Sequence, residues 1–334
     1  MNETESKLKD AVKELLATGR VDLVIGYEKG SLPLRSRPCF VRRAEEVDRL
    51  VWNSYCTNNL AVYLPRLFEK PARPKPEYAP PKVGIVGKGC DTRSVIGLIK
   101  EHQLPRENIV LIGMPCAGMI DVRKVEAALG GAPVADGKKG ADGTFEVTTV
   151  AGQTKQLKKE DVIADACREC SYPSVDGVDI QIEGDAIAAT QARYTEVAEF
   201  EAKSPEERWQ YFIGEMSKCI RCHACRQACP NCYCKVCFVD QTKPRWVGAG
   251  DDLSDAVVYH LGRIFHQAGR CVECDACVRA CPMGIDLRLF TAKLRKDVNE
   301  LFAYVPGLSL DELPPLCTFA ADDSQGFITE PEEE

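Results

Sequence analysis

Apolar runs and amphipathic stretches alternate through the first part of the chain. An amphipathic stretch over residues 5–16 predicts a helix that ends at Gly19, and the β-branched run over residues 21–27 predicts a strand. A second helix is predicted to begin near Ala44 and to run toward Leu67. The proline-rich segment 71–81 then breaks the pattern and is interpreted as an extended linker or strap.

The next segment has the pattern of a strand, a helix and a second strand. Residues 82–87 and 108–113 are short apolar runs, and residues 92–102 between them carry apolar positions at helical spacing. This order within about 30 residues is typical of a βαβ unit, which predicts a parallel sheet. Residues 145–150 and 154–157 flank an Ala-Gly pair and predict an added hairpin.

Beyond residue 203 the pattern becomes helical. Ser204, Pro205 and Glu207 form the signature of a capped helix start, and apolar residues repeat at helical spacing over residues 253–268 and 287–301. We therefore predict an α/β domain with a parallel sheet over residues 1–203 and an all-α domain over residues 204–305. Residues 306–334 form a tail whose last 14 residues hold six acids and no base.

Composition and charge exclude several classes of protein. The chain has 334 residues, of which 45% are apolar and 28% charged, which is typical of a folded protein of about two domains. A net charge of −7 argues against nucleic-acid binding. No run of 18 apolar residues occurs and the start of the sequence lacks the pattern of an export signal, so we expect a cytoplasmic protein without membrane insertion.

The unusual feature of the composition is cysteine. The chain contains 18 cysteines, and eleven of them lie between Cys219 and Cys281. A reducing compartment disfavours disulfides, so metal binding is the expected use of these thiols.

Two segments repeat one cysteine spacing, C-x2-C-x2-C-x3-C-P. The first holds Cys219, Cys222, Cys225 and Cys229, and the second holds Cys271, Cys274, Cys277 and Cys281. This is the run of bacterial ferredoxins, in which four thiolates bind a 4Fe-4S cluster. In ferredoxins with two clusters the fourth cysteine of each run binds the other cluster, which would place Cys281 with the first three cysteines and Cys229 with the second three. Structural zinc is the alternative, although zinc modules use separated ligand pairs.

The 41 residues between the two runs include an amphipathic helix. In this respect residues 204–301 resemble the α-helical ferredoxin domains of heterodisulfide reductase C subunits and fumarate reductase iron-sulfur subunits. Cys232, Cys234 and Cys237 follow the first run and are not needed by either cluster, so an additional metal and packed thiols are both open interpretations. His223 and Arg221 lie inside the first run, where they could adjust a cluster potential without binding iron.

A third set of thiols lies in the α/β part. Cys90 and Cys116 each follow a predicted parallel strand, so both are expected at the carboxyl edge of the sheet, where ligands of such folds bind. With Cys167 and Cys170 they supply four thiols for a third 4Fe-4S cluster, and Cys56 is a reserve ligand. The alternative is that Cys90 and Cys116 are core residues.

Residues 84–103, residues 109–121 and the pair Cys167 and Cys170 resemble the beta-subunit family of deazaflavin-reducing hydrogenases and formate dehydrogenases. The resemblance covers about residues 22–185. It implies FAD and a 4Fe-4S cluster in this part of the chain, and electron exchange with iron-sulfur partner subunits. No residue here could be assigned to the deazaflavin.

A turn in this segment is a candidate for binding the flavin. Gly87, Lys88 and Gly89 precede a predicted helix and could hold a flavin phosphate together with Arg93, or they could form only a tight turn.

The sequence thus predicts an iron-sulfur electron-transfer subunit of a multi-subunit oxidoreductase, such as a hydrogenase, a formate dehydrogenase or a heterodisulfide-reductase-like complex. Two alternatives stay open. The chain could itself exchange electrons between a deazaflavin or nicotinamide coenzyme and its clusters through a flavin, or it could be a zinc scaffold.

Overall fold

The computed structural model describes residues 3–71, 79–140, 143–190 and 193–318. The elements of the first part of the chain are α1 (Glu3–Ala17), β1 (Leu23–Lys29), β2 (Ser36–Val41), α2 (Leu64–Leu67), β3 (Val83–Gly87), α3 (Gly89–Lys100), β4 (Ile109–Gly113), α4 (Val122–Ala128), β5 (Val134–Lys139), β6 (Thr144–Thr149), β7 (Thr154–Lys158), α5 (Lys159–Val162), α6 (Asp165–Arg168) and β8 (Ile180–Gln181). The second part contains α7 (Thr195–Glu201), α8 (Pro205–Met216), α9 (Ala224–Gln227), α10 (Leu253–His266), α11 (Ala276–Arg279) and α12 (Arg288–Phe302). Short 3-10 helices cover Ala44–Arg49, Leu60–Tyr63, Arg106–Asn108, Phe238–Asp240 and Pro315–Cys317.

The main sheet has the strand order β2-β1-β3-β4-β8. Strands β1, β3, β4 and β8 are parallel, and β2 pairs antiparallel with β1 at one edge. Every residue of β3 and β4 is buried, as expected for parallel strands covered on both faces. Gly87 is in register with Gly113, so the two strands end at the same level.

A second, antiparallel sheet joins β5, β6 and β7. The predicted hairpin is present as β6 and β7, and the structure adds β5, which the sequence analysis did not predict. On β6, Phe145 and Val147 are buried. They contribute to a small apolar core that is separate from the core of the main sheet.

The predicted long helix from Ala44 toward Leu67 is wrong. The chain forms a 3-10 helix over Ala44–Arg49, leaves it at Leu50 in an extended conformation, and becomes helical again only at Leu60. At the break, the Val51 amide donates to the Tyr27 carbonyl at 2.9 Å, and Leu50 forms a β-bridge with Glu28. The backbone of this segment pairs with β1 instead of continuing its own helix.

The second part of the chain is helical, as predicted. The start of α8 is capped by Ser204, whose hydroxyl accepts from the Glu207 amide at 3.2 Å while the Glu207 carboxylate accepts from the Ser204 amide at 2.8 Å. The two cysteine runs each contain a one-turn helix, α9 in the first and α11 in the second. The predicted combination of an α/β part with a parallel sheet and an all-α part is therefore confirmed.

The two parts are in direct contact. The Arg93 guanidinium donates to the Pro306 carbonyl at 2.9 Å, and Glu101 at the end of α3 pairs with Arg270 at 2.7 Å. Gly307 packs against the Arg93 backbone so closely that a Cβ atom there would lie 2.2 Å from the Arg93 carbonyl oxygen. Residues 306–318 thus connect both parts, and the domain boundaries at 203/204 and 305/306 stay predictions.

Two predicted features fall largely outside the described residues. The proline-rich segment 71–81 is described only at residue 71 and residues 79–81, and the acidic residues 321–334 lie wholly beyond residue 318. Within the described ranges, no helix combines the length and the apolar character that a membrane span requires.

Candidate iron-sulfur centres

The two cysteine runs share one backbone conformation. In the first run Arg221 and His223 have φ values of 50° and 59°, and in the second run Glu273 and Asp275 have 63° and 58°. Left-handed residues two and four positions after the first cysteine turn the chain around a common centre. In the first run this turn lets the Arg221 amide donate to Cys219 Sγ at 3.3 Å. The repeat in sequence is thus a repeat in structure.

The fourth cysteine of each run lies with the other run. A small cavity is lined by Cys229 together with the three thiols Cys271, Cys274 and Cys277. Burial, and then the charge of Cys229, raise the pKa of Cys274 to about 12.

The first run shows the reciprocal arrangement. Burial raises the pKa of Cys219, and the neighbouring thiols of Cys225, Cys281 and Cys222 raise it further. Cys281 Sγ in turn accepts from the Ile285 amide at 3.4 Å. Both sets of four thiols are therefore grouped as the exchange of fourth cysteines requires.

Helix α10 covers both groups with its polar face. Tyr259 Oη lies 3.4 Å from Cys225 Sγ, and His260 Nε2 lies 3.2 Å from Cys219 Sγ. Just beyond the end of the helix, two turns further along, the Gln267 amide oxygen accepts from Cys229 Sγ at 3.6 Å. Burial, and then the charges of Arg263 and His223, lower the pKa of His260 to about 4, so this imidazole is neutral near pH 7.

The buried face of this helix is partly polar, although Ala256 and Ile264 are also buried. Tyr259, His260 and Arg263 are buried, whereas Leu261 and Phe265 are 39% and 61% exposed. The apolar repeat in the sequence predicted the helix but not its buried polar residues. Polar residues at positions 259, 263 and 267, one helical turn apart, were the signal available.

The third group of thiols gathers at the carboxyl edge of the main sheet. Cys90 and Cys116 each lie three residues beyond the end of a strand, after Gly87 and Gly113 respectively. Ile120 forms a β-bridge with Ile163, which brings the segment after β4 beside the segment that holds Cys167.

The thiols of this group interact with one another. Burial, and then the charges of Cys167 and Cys170, raise the pKa of Cys116 to about 12. Burial also raises the pKa of Cys90, with further contributions from Asp91, Cys274 and Cys116. Cys90 thus lies between its own group and the group of Cys274.

The reserve ligand Cys56 lies apart from this group. Its side chain is fully buried, and its Sγ donates to the Val51 carbonyl at 3.8 Å and lies 3.6 Å from the Ser36 hydroxyl. These contacts are those of a packed thiol.

Lys88 and Arg93 do not lie at an open phosphate site. Lys88 is 2% exposed, pairs with Asp91 at 2.6 Å, and donates to the carbonyls of Cys56 and Asn58 at 2.9 Å each. Arg93 is also 2% exposed, and its guanidinium is directed at carbonyls of the helical part.

The glycines of the same turn are covered as well. A Cβ atom on Gly89 would lie 2.0 Å from the Tyr172 carbonyl oxygen, and one on Gly87 would lie 3.1 Å from the Thr92 hydroxyl. Gly87, Lys88, Gly89 and Arg93 are thus buried, and the expectation that they hold a flavin phosphate stays a prediction.

The three extra cysteines have different surroundings. Cys234 is exposed, Cys232 lies beside Cys229 and accepts from the Gln267 side-chain amide at 3.5 Å, and Cys237 contacts Arg226. Among the described residues, no three His, Cys, Asp or Glu side chains converge closely enough to hold a single metal ion.

A cavity of about 900 Å³ opens between the two parts of the chain. Its wall contains Cys229, Cys232 and Cys234, and basic residues outnumber acidic ones in its lining. The basic lining residues are Arg35, Arg66, Lys70, Arg226, Lys235, Arg263, Arg270 and Arg279, against Glu69 and Asp240. A volume of this size is at the upper end of the range for small-molecule sites.

Comparison with known proteins places this geometry among redox subunits. Residues 215–285 match the family model described as a 4Fe-4S dicluster domain. Over 91% of its length the chain is 22% identical to the F420-dependent formate dehydrogenase subunit beta of Methanocaldococcus jannaschii, covering 92% of that protein. It is 25% identical, again over 91% of its length, to the F420-dependent formate dehydrogenase 1 subunit beta of Methanococcus maripaludis, covering 90% of it.

These relatives are formate dehydrogenase beta subunits. The resemblance predicted from the sequence is therefore confirmed, and it extends over both parts of the chain.

Two further likenesses are narrower. The iron-sulfur subunit of Bacillus subtilis succinate dehydrogenase is 32% identical over 29% of this chain and 40% of its own length. A chain of the F420-reducing [NiFe] hydrogenase complex from Methanosarcina barkeri is weakly similar in structure, with a TM-score of 0.35 and 15% identity. The similarity covers 48% of this chain and 58% of the other.

Proposed function

We propose that the chain is an iron-sulfur electron-transfer subunit of a multi-subunit oxidoreductase of the formate dehydrogenase, hydrogenase or heterodisulfide reductase type. The observation that carries this proposal is the grouping of twelve thiols in three adjacent sets of four. The first set is Cys219, Cys222, Cys225 and Cys281, the second is Cys271, Cys274, Cys277 and Cys229, and the third is Cys90, Cys116, Cys167 and Cys170. Each set would hold one 4Fe-4S cluster.

The order of the sets favours a relay. Cys229, a member of the second set, is the last cysteine of the first run, and Cys274 of the second set lies near Cys90 of the third. The second cluster would then be the middle one. Bound clusters supply one-electron redox chemistry, and the residues of this chain hold them, shield them from water and set their potentials.

The exposed face of α10 supports a partner subunit. Val258, Leu261 and Phe265 lie on one face at spacings of three and four residues and are 47%, 39% and 61% exposed, while the opposite face covers the first two sets. A partner docked there would approach the clusters across one helix. The relatives named above are likewise subunits, as their names state. We place the protein in the cytoplasm, because cysteines that bind iron-sulfur clusters instead of forming disulfides suit a reducing compartment.

A second candidate function rests on the cavity of about 900 Å³. Its size and its excess of basic side chains suit a large anionic coenzyme, and Cys229 in its wall belongs to the second set. In this alternative the chain binds FAD or another coenzyme in the cavity and itself exchanges electrons with a deazaflavin or nicotinamide.

One anaerobic experiment separates the two candidates. The purified chain is mixed with reduced F420, with NADH or with dithionite, and cluster absorption near 400 nm is followed. The relay proposal expects bleaching by dithionite alone and no flavin in the denatured extract. Bleaching by a coenzyme together with bound flavin would favour the second candidate, and a colourless protein without iron would contradict both.

A further inference from the structure

Arg263 lies between the first and second sets of thiols. It is on α10, is 4% exposed, and lines both the large cavity and the small cavity formed by the second set. Its Nη2 donates to the carbonyl of Cys225, a member of the first set, at 3.1 Å. The side chain therefore spans the gap between the two sets.

Two donors of this guanidinium have no partner among the described protein atoms. Nε and Nη1 are buried and make no hydrogen bond. A buried, unpaired donor on a charged group is costly, so a native protein retains one where something else accepts from it. The neighbouring charges are thiols of both sets and of Cys232, which belongs to neither. Those of Cys277, Cys229 and Cys225, followed by Cys232, raise the pKa of Arg263 against the effect of its burial.

From this placement we propose that Arg263 is a positioning residue of the relay: its charge stabilises the reduced forms of both neighbouring clusters, and its free donors hydrogen bond to their sulfur atoms. The inference rests on the proposed function, since it requires a cluster in each set. Each cluster gains one negative charge when it takes up one electron. A fixed positive charge between two clusters therefore raises both potentials and reduces the repulsion between two reduced clusters.

The third set provides an internal reference. The charges that act on Cys90 come from Asp91, Lys88, Cys274 and Cys116, and Arg263 is not among them. If Arg263 acts only on the first and second clusters, the potential of the third cluster should not change in its variants.

The test is potentiometric titration of the full-length holoprotein, followed by EPR, for the wild type and for Arg263→Gln and Arg263→Lys. In Arg263→Gln we expect the reduction equilibrium of the first two clusters to become at least tenfold less favourable, which for a one-electron couple is about 59 mV. The third cluster should not change. Arg263→Lys keeps the charge and should recover most of the shift, which a purely structural role would not produce.

Arg106→Gln is the control, because Arg106 is an arginine already paired with a carboxylate, that of Asp179 at 2.8 Å, and lies outside the three sets of thiols. We expect it to move neither potential. Unchanged potentials in an Arg263→Gln protein with full iron content would overturn the inference and leave the relay intact. If Arg263→Gln loses iron, the cluster potentials of Arg263→Lys are used instead. An Arg263→Lys protein with full iron content and wild-type potentials supports the inference. Lowered potentials in that variant, despite its retained charge, refute the inference. A wild type without clusters would instead contradict the proposed function.

Discussion

Replacement of Lys88 by Met tests whether this residue is structural or binds a phosphate. The Lys88 ammonium pairs with Asp91 at 2.6 Å, and the two side chains are 3% and 0% exposed. Removing one partner of a buried pair leaves an uncompensated charge and costs about 3–5 kcal/mol. A change of 1.4 kcal/mol corresponds to a factor of ten in an equilibrium constant. The rate of amide exchange that requires local opening should therefore rise roughly 100-fold to 3,000-fold.

Hydrogen exchange with mass spectrometry on the anaerobic holoprotein measures this directly, in peptides that cover β1, β3 and α3. Lys82→Met is the matched control, since Lys82 is an exposed lysine next to β3 and its loss should change stability by less than about 0.5 kcal/mol. The double variant Lys88→Met with Asp91→Asn removes the unpaired charge and should recover part of the loss. Unchanged exchange in Lys88→Met would refute the reasoning, most clearly if the protein lost bound flavin at the same time.

Three further outcomes follow from the structure. Cys281→Ser should perturb the EPR signal of the cluster held by Cys219, Cys222 and Cys225, and damage confined to the cluster of Cys271 would refute the exchange of fourth cysteines. His260→Leu removes the polar contact at 3.2 Å from Cys219 and should lower the potential of the first cluster alone, so an equal shift of all clusters would contradict a local effect. Ser204→Ala should destabilise the start of α8 by about 1 kcal/mol, seen as faster amide exchange over residues 204–208, whereas unchanged exchange would show that the cap contributes nothing.

Local patterns were sufficient to predict the framework of the fold. The apolar runs that became β3 and β4, the capped start of α8 and the two cysteine runs each specify their structure within a few residues. The helix predicted from Ala44 failed because a hydrogen bond to Tyr27, distant in sequence, competes with it. A single sequence does not reveal such long-range pairing.

The candidate site, like the fold, was predictable only where the signal is local in the sequence. The cysteines were predictable because ligand spacing is local, and the parallel sheet placed Cys90 and Cys116 at one edge. The polar face of α10 was not predicted, because the role proposed for Arg263 depends on thiols of both runs, and only the fold brings these thiols beside it. The burial of Lys88 was not predicted for a related reason, since its partner Asp91 is local in sequence but burial is a property of the whole fold.

The iron content of the anaerobically reconstituted chain tests the three-cluster relay most directly. Three sets of four thiols predict about twelve irons and twelve acid-labile sulfides per chain, and Cys90→Ala with Cys167→Ala should reduce both to about eight. The paired control Cys39→Ala with Cys56→Ala, which removes two buried cysteines outside the three sets, should retain about twelve. A wild type that saturates near eight irons and is unaffected by loss of Cys90 and Cys167 would contradict the account.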